Sequence, residues 1–167
     1  MNFGNGITYG FEGIVTVNAT NFWSSNLSFS LYEQDIDGSN VSEEVSNKTL
    51  SYYGKWINNF SLWKNAKLQV ISNYNSPIGT PQGQKKAVYN VDIGFQQKII
   101  KGKGGLGIVV TDIFNIQKSG SITNSPGNLY YNRTFKVDTR AVLVTFAYSF
   151  GTAFKEESVM ENKFSND

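Results

Sequence analysis

The final stretch of the chain, Arg140 to Gly151, reads RAVLVTFAYSFG and limits the possible folds more than any other segment. Successive side chains on a strand point to opposite faces. Val142, Val144, Phe146, Tyr148 and Phe150 therefore share one large apolar face. Ala141, Leu143, Thr145, Ala147 and Ser149 share a face of small or weakly polar groups. A soluble domain buries such an aromatic face in its own core. A membrane barrel turns it to lipid and keeps the small face on a watery lumen.

The same alternation recurs upstream. Strands are expected over about Ile7–Asn18, Phe22–Gln34, Thr49–Phe60, Ala66–Tyr74, the clearly patterned segment from Tyr89 to Gln96, and Gly105–Ile116. The connections alternate between short (Ala19–Asn21, Ser61–Asn65, Lys98–Gly104) and long (Asp35–Lys48, Asn75–Lys86, Gln117–Arg133). Short connections thus collect at one end of the sheet and long ones at the other, the layout of an outer-membrane barrel with short periplasmic turns. The segment 1–151 reads as one β-barrel segment of about seven to eight antiparallel up-and-down strands, and 152–167 as a flexible charged tail.

Composition narrows the chemistry. The 167 residues contain no histidine and no cysteine, which removes the commonest general base and metal ligand, every Ser-His or Cys-His nucleophile and any disulfide framework. An enzyme is not expected, nor a cofactor or a metal. The net charge of +2 gives no push toward nucleic acid. No run approaches the roughly 18–20 apolar residues of a spanning helix, which says nothing against barrel strands. The start, MNFGNGITYG, lacks the pattern of a signal peptide, and the chain reads as the tail of a longer one.

Aromatic residues gather near strand ends: Phe22, Trp23, Phe60, Trp63 and Phe150 on the short-turn side, and Tyr52, Tyr53, Tyr74 and Tyr89 on the long-loop side. Two such belts suit the two headgroup levels of a bilayer. Glu12, Ser28, Ser30, Asn73, Asn90, Asp92 and Gln96 fall on the opposite, polar face. Asp112 breaks the rule by sharing parity with Leu106, Ile108, Val110 and Phe114, so it is expected at the membrane rim or beside a bulge. The calcium-loop echo Asp35-Ile-Asp37-Gly38-Ser-Asn40 lies between strands rather than helices, and with Glu43 and Glu44 reads as a solvated loop. Lys98, Lys101 and Lys103 form a basic turn that also suits lipid phosphate.

Several of these stretches together resemble the carboxy-terminal end of TonB-dependent outer-membrane receptors, most of all the outer membrane β-barrel protein family common in Bacteroidetes. They are VTDIFN ending at Asn115, with Asp112, Phe114 and Asn115 as its motif; YNSPIGTPQG from Tyr74; YNVDIG from Tyr89; Phe22-Trp23 followed by LSFSL; and the closing LVTFAYSFG. The resemblance implies a large plugged barrel taking up scarce nutrients without catalysis. This chain would supply only its last strands, so the missing amino-terminal strands and plug are expected partners, alongside outer-membrane lipid and the barrel-assembly machinery. Tyr148 and Phe150 would be the terminal aromatics that this machinery reads, and Trp23 and Trp63 girdle residues. The tail and carboxy terminus would be periplasmic. A soluble lipocalin-like barrel holding a small apolar ligand is the alternative.

Overall fold

In the computed structural model, which describes residues 5–38, 46–125 and 129–150, seven antiparallel strands form one sheet. They are β1 (Gly6–Asn18), β2 (Trp23–Asp37), β3 (Ser46–Trp63), β4 (Ala66–Asn75), β7 (Val88–Ile99), β8 (Gly104–Thr111) and β11 (Ala141–Tyr148), paired in that order. The sheet is open, with β1 and β11 as its edges. The tail 152–167 and the loop residues Glu43 and Glu44 lie outside the described residues.

The turns at the short end are local devices. The Thr20 hydroxyl accepts the backbone N–H of Trp23 at 3.0 Å and closes the β1–β2 connection. Lys64 and Asn65 alone join β3 to β4, with Asn65 at φ 68°. Asparagine tolerates that left-handed conformation better than most residues. A 3-10 turn, Ile100–Gly102, joins β7 to β8.

The long connections depart from the sequence-based expectation. Asp35–Lys48 is not all loop: Asp35 pairs with Lys48 and Asp37 with Ser46, which lengthens β2 to 15 residues and β3 to 18. The other two connections carry short strands that pair with each other. These are β5 (Ile78–Thr80), β6 (Gly83–Lys85), β9 (Ser119–Ser125) and β10 (Leu129–Phe135), forming a second sheet in the order β10-β9-β6-β5. β3 also runs on through Trp63 across a register shift at Ser61, where a turn was expected.

The one buried apolar residue among those described is Ala66. Large apolar side chains stay open instead, Phe11 at 62%, Val142 at 65% and Phe146 at 64%. In water such a patch is far beyond what a monomer tolerates. Among the described residues no second layer covers the sheet's apolar side, a face suited to an apolar solvent.

Candidate functional site

Register shows how continuous that side is. Cross-strand partners share a face, so one row runs Val15–Leu27–Trp56–Ser72–Val91 over β1, β2, β3, β4 and β7. Another runs Leu68–Phe95–Ile108–Val144 to the last strand. Between the level of Leu31 and Tyr52 and the level of Ala66 and Gln97, this face carries no charged side chain.

Ring rows bound it. At the long-loop side Tyr52, Tyr74 and Tyr89 stack in series, with centroids 5.5 and 6.5 Å apart. At the short-turn side Trp23 stacks on Phe60 at 6.3 Å, Trp63 lies 6.0 Å from Phe95, and Tyr148 meets Phe150 edge-on at 4.6 Å. The strand from Tyr52 to Phe60 measures about 26 Å, and that from Tyr89 to Phe95 about 20 Å, at ~3.3 Å per residue. An outer-membrane apolar band is about 25 Å tall. Tyr53 does not belong to the long-loop belt: it pairs with Ser30 on the opposite face, as adjacency to Tyr52 on a strand requires.

Polar groups on the apolar face are few, and each tryptophan covers one. The indole N–H groups donate to Ser25 Oγ from Trp56 (2.7 Å), to Asn58 Oδ1 from Trp23 (3.1 Å) and to Gln97 Oε1 from Trp63 (2.8 Å). A polar group left unpaired in hydrocarbon costs several kcal/mol in the limit. Each ring thus hides both its own N–H and a neighbour's oxygen. Gly13 is covered in another way: a Cβ there would meet the Phe29 ring at 2.6 Å.

Charge returns just above the tyrosines. Glu33 accepts from the Tyr9 hydroxyl and forms an ion pair with Lys48 at 2.7 Å, the one ion pair among the described residues. All three lie on the apolar parity, one level or more beyond Leu31. Here the strands have left the band.

The other face carries Glu12, Lys55, Lys67 and Asp92 among neutral polar groups, and side-chain hydrogen bonds recur along it. Asn26 donates to Thr16 Oγ1 at 2.7 Å, and Gln69 to Asn59 Oδ1 at 2.8 Å. Asn90 donates to Asp92 Oδ1, also at 2.8 Å.

Asp112 sits at the rim, not in the band. β8 ends at Thr111, and the chain turns with Asp112 at φ 42° and Asn115 at φ 49°. The buried Asp112 carboxylate accepts the backbone N–H groups of Ile116 and Gln117, each at 3.0 Å, and the Thr139 hydroxyl. Its own N–H donates to Asp92 Oδ1 at 2.8 Å. Burial alone raises this carboxyl's pKa; the Thr139 hydroxyl, the two backbone N–H groups and nearby Lys136 outweigh it, and the net shift is downward. Lys136 caps the same turn by donating to the Asn115 carbonyl at 2.5 Å and side chain at 2.6 Å. Within the motif, Asp112 and Asn115 hold the rim together, whereas Phe114 is 66% exposed. Sequence reasoning missed Thr139 and Lys136; both lie far along the chain, and only the pairing of β11 with β8 brings them here.

Among the described residues no group of three or more His, Cys, Asp or Glu is placed to hold a metal. No helix is long and apolar enough to cross a membrane, which has no bearing on strands. The family model for the outer membrane protein beta-barrel family matches residues 1–148. No curated protein and no solved structure matches significantly.

Proposed function

We infer, since this chain belongs to the outer membrane protein beta-barrel family, that it builds part of the wall of a TonB-dependent receptor that takes up nutrients and performs no catalysis. The observation that carries the reading is the charge-free apolar face, continuous over seven strands and covered by no other described element. Lipid is its solvent. The hydrogen-bonded polar face then looks onto the lumen, the short turns lie in the periplasm and the loop sheet stands outside the cell. The open edges at β1 and β11 are completed by further strands of the whole receptor, and its plug fills the lumen. Tyr148 and Phe150, a packed aromatic pair at the end of the last strand, are the group the barrel-assembly machinery engages. The soluble alternative needs the apolar side to enclose a cavity, and no described element closes over it.

The test is spin labelling at Val91 and Val144 in the full-length protein reconstituted in lipid. Both labels are expected to be readily relaxed by oxygen and shielded from a water-borne nickel chelate. Labels protected from oxygen and immobilised against protein overturn the reading.

A further inference from the structure

The loop sheet offers a binding surface that the wall does not explain. Its two faces differ. One carries Gly79, Gln84 and Ile122 and lies on β3: a Cβ at Gly79 would meet Thr49 Oγ1 at 2.4 Å, and the Asn47 amide donates to the carbonyls of Thr80 (2.8 Å) and Gly83 (2.6 Å). Thr49 and Asn47 share the parity of Ser51, Tyr53 and Lys55, which is the polar side of the wall. The loop sheet therefore covers the polar side, and its second face looks away from β3, across the space above the lumen.

That second face is cationic. Lys85, Ser121 and Arg133 form one cross-strand row, and Thr123 and Tyr131 the next. With strands ~4.8 Å apart, the Lys85 and Arg133 backbones are about 10 Å apart with the Ser121 hydroxyl between them. Two long basic side chains converge on one oxyanion over that distance. Among the described residues neither cation has a carboxylate partner, since the ion pair present is Glu33–Lys48. Arg133 lies 5.8 Å from the Tyr131 ring centre, and that ring is 45% exposed. An aromatic surface beside paired cations suits a ring that carries an acid group.

We propose that the Lys85–Ser121–Arg133 row, with Tyr131, binds a soluble anionic saccharide, a sugar bearing carboxylate, sulfate or phosphate. The proposal rests on the receptor reading for its location at the mouth. Placement over the lumen selects a solute rather than a lipid phosphate, which would approach from the outer side of the wall.

The test uses the full-length protein in detergent, a fluorescent heparin-derived tetrasaccharide as probe, and vesicles containing lipopolysaccharide as the lipid arm. The unaltered protein is expected to bind the tetrasaccharide with affinity that falls as salt rises. Lys85→Ala/Arg133→Ala should weaken binding about tenfold or more, while Lys64→Ala/Lys98→Ala at the short-turn end of the sheet leaves it unchanged. Absence of binding, equal loss in both double variants, or dependence on Lys85 and Arg133 only for vesicles overturns the proposal. The chain contains no cysteine, so Lys85→Cys can be probed on intact cells with a membrane-impermeant maleimide. Labelling together with unchanged tetrasaccharide binding by the Lys85/Arg133 variant rejects the saccharide site alone. No labelling, with binding intact, rejects the receptor's orientation alone.

Discussion

The indole pairs show what a single side chain must do when hydrocarbon replaces water. Asn58 is buried, and Trp23 supplies its donor on a neighbouring strand. Trp23→Phe keeps the ring but strands the Asn58 oxygen, and should cost about 1 kcal/mol in urea unfolding from lipid vesicles. Adding Asn58→Leu should recover most of that loss, because both polar partners are then gone; if the double variant is weaker than Trp23→Phe, the hydrogen bond is not the cause. At the rim, the lowered pKa of Asp112 sets a pH dependence. The folded value lies below the unfolded one, so its stabilising contribution is complete above about pH 4 and is lost as pH falls through the lowered value. Asp112→Asn cannot hold its donors as a charge does, and amide exchange at Ile116 and Gln117 should quicken at neutral pH while remaining slow in the unaltered protein until strongly acid conditions.

Alternation made the seven wall strands legible at the scale of elements. Tyr89 to Gln96 obeys period two without a break, and its partner strands were found for the same reason. The loop sheet was not legible, because β5 and β6 are three residues each and show no periodicity. The partner of β6 is β9, nearly forty residues along the chain. The polar tip of the β2–β3 hairpin misled in another way: Asp35 to Asp37 look like loop residues, yet strand pairing persists there because the hairpin has left the apolar band and polar side chains are tolerated on both faces. The tryptophan partners were hidden as well, since Trp56 reaches Ser25 only through cross-strand register. Face assignment gives a direct test. Val91→Arg, in the row between the two aromatic belts, should destabilise the folded barrel by about 2–4 kcal/mol, whereas Gln96→Arg on the polar face should cost less than about 1. Equal costs in a vesicle unfolding titration would remove the distinction between the faces.

For the molecule as a whole, both edges of the wall matter. β1 and β11 each present a row of backbone groups with no strand beyond them among the described residues. Hydrocarbon offers those groups no partner. The 167-residue chain alone, refolded in detergent, should therefore sediment as a mixture of associated species; a single monomeric species would mean that it closes on itself.

Lys85 and Ser121 pair across β6 and β9, which stitches together two connections that leave the wall at different strands. Those connections are therefore joined to each other, and cannot part like two separate fingers without breaking that pairing. In the receptor proposed above, a solute passing here would have to displace both connections together or slip beneath them. In the receptor proposed above, locking the stitch covalently through Gln84→Cys/Ile122→Cys should leave uptake intact; loss of uptake would mean that β6 and β9 have to separate.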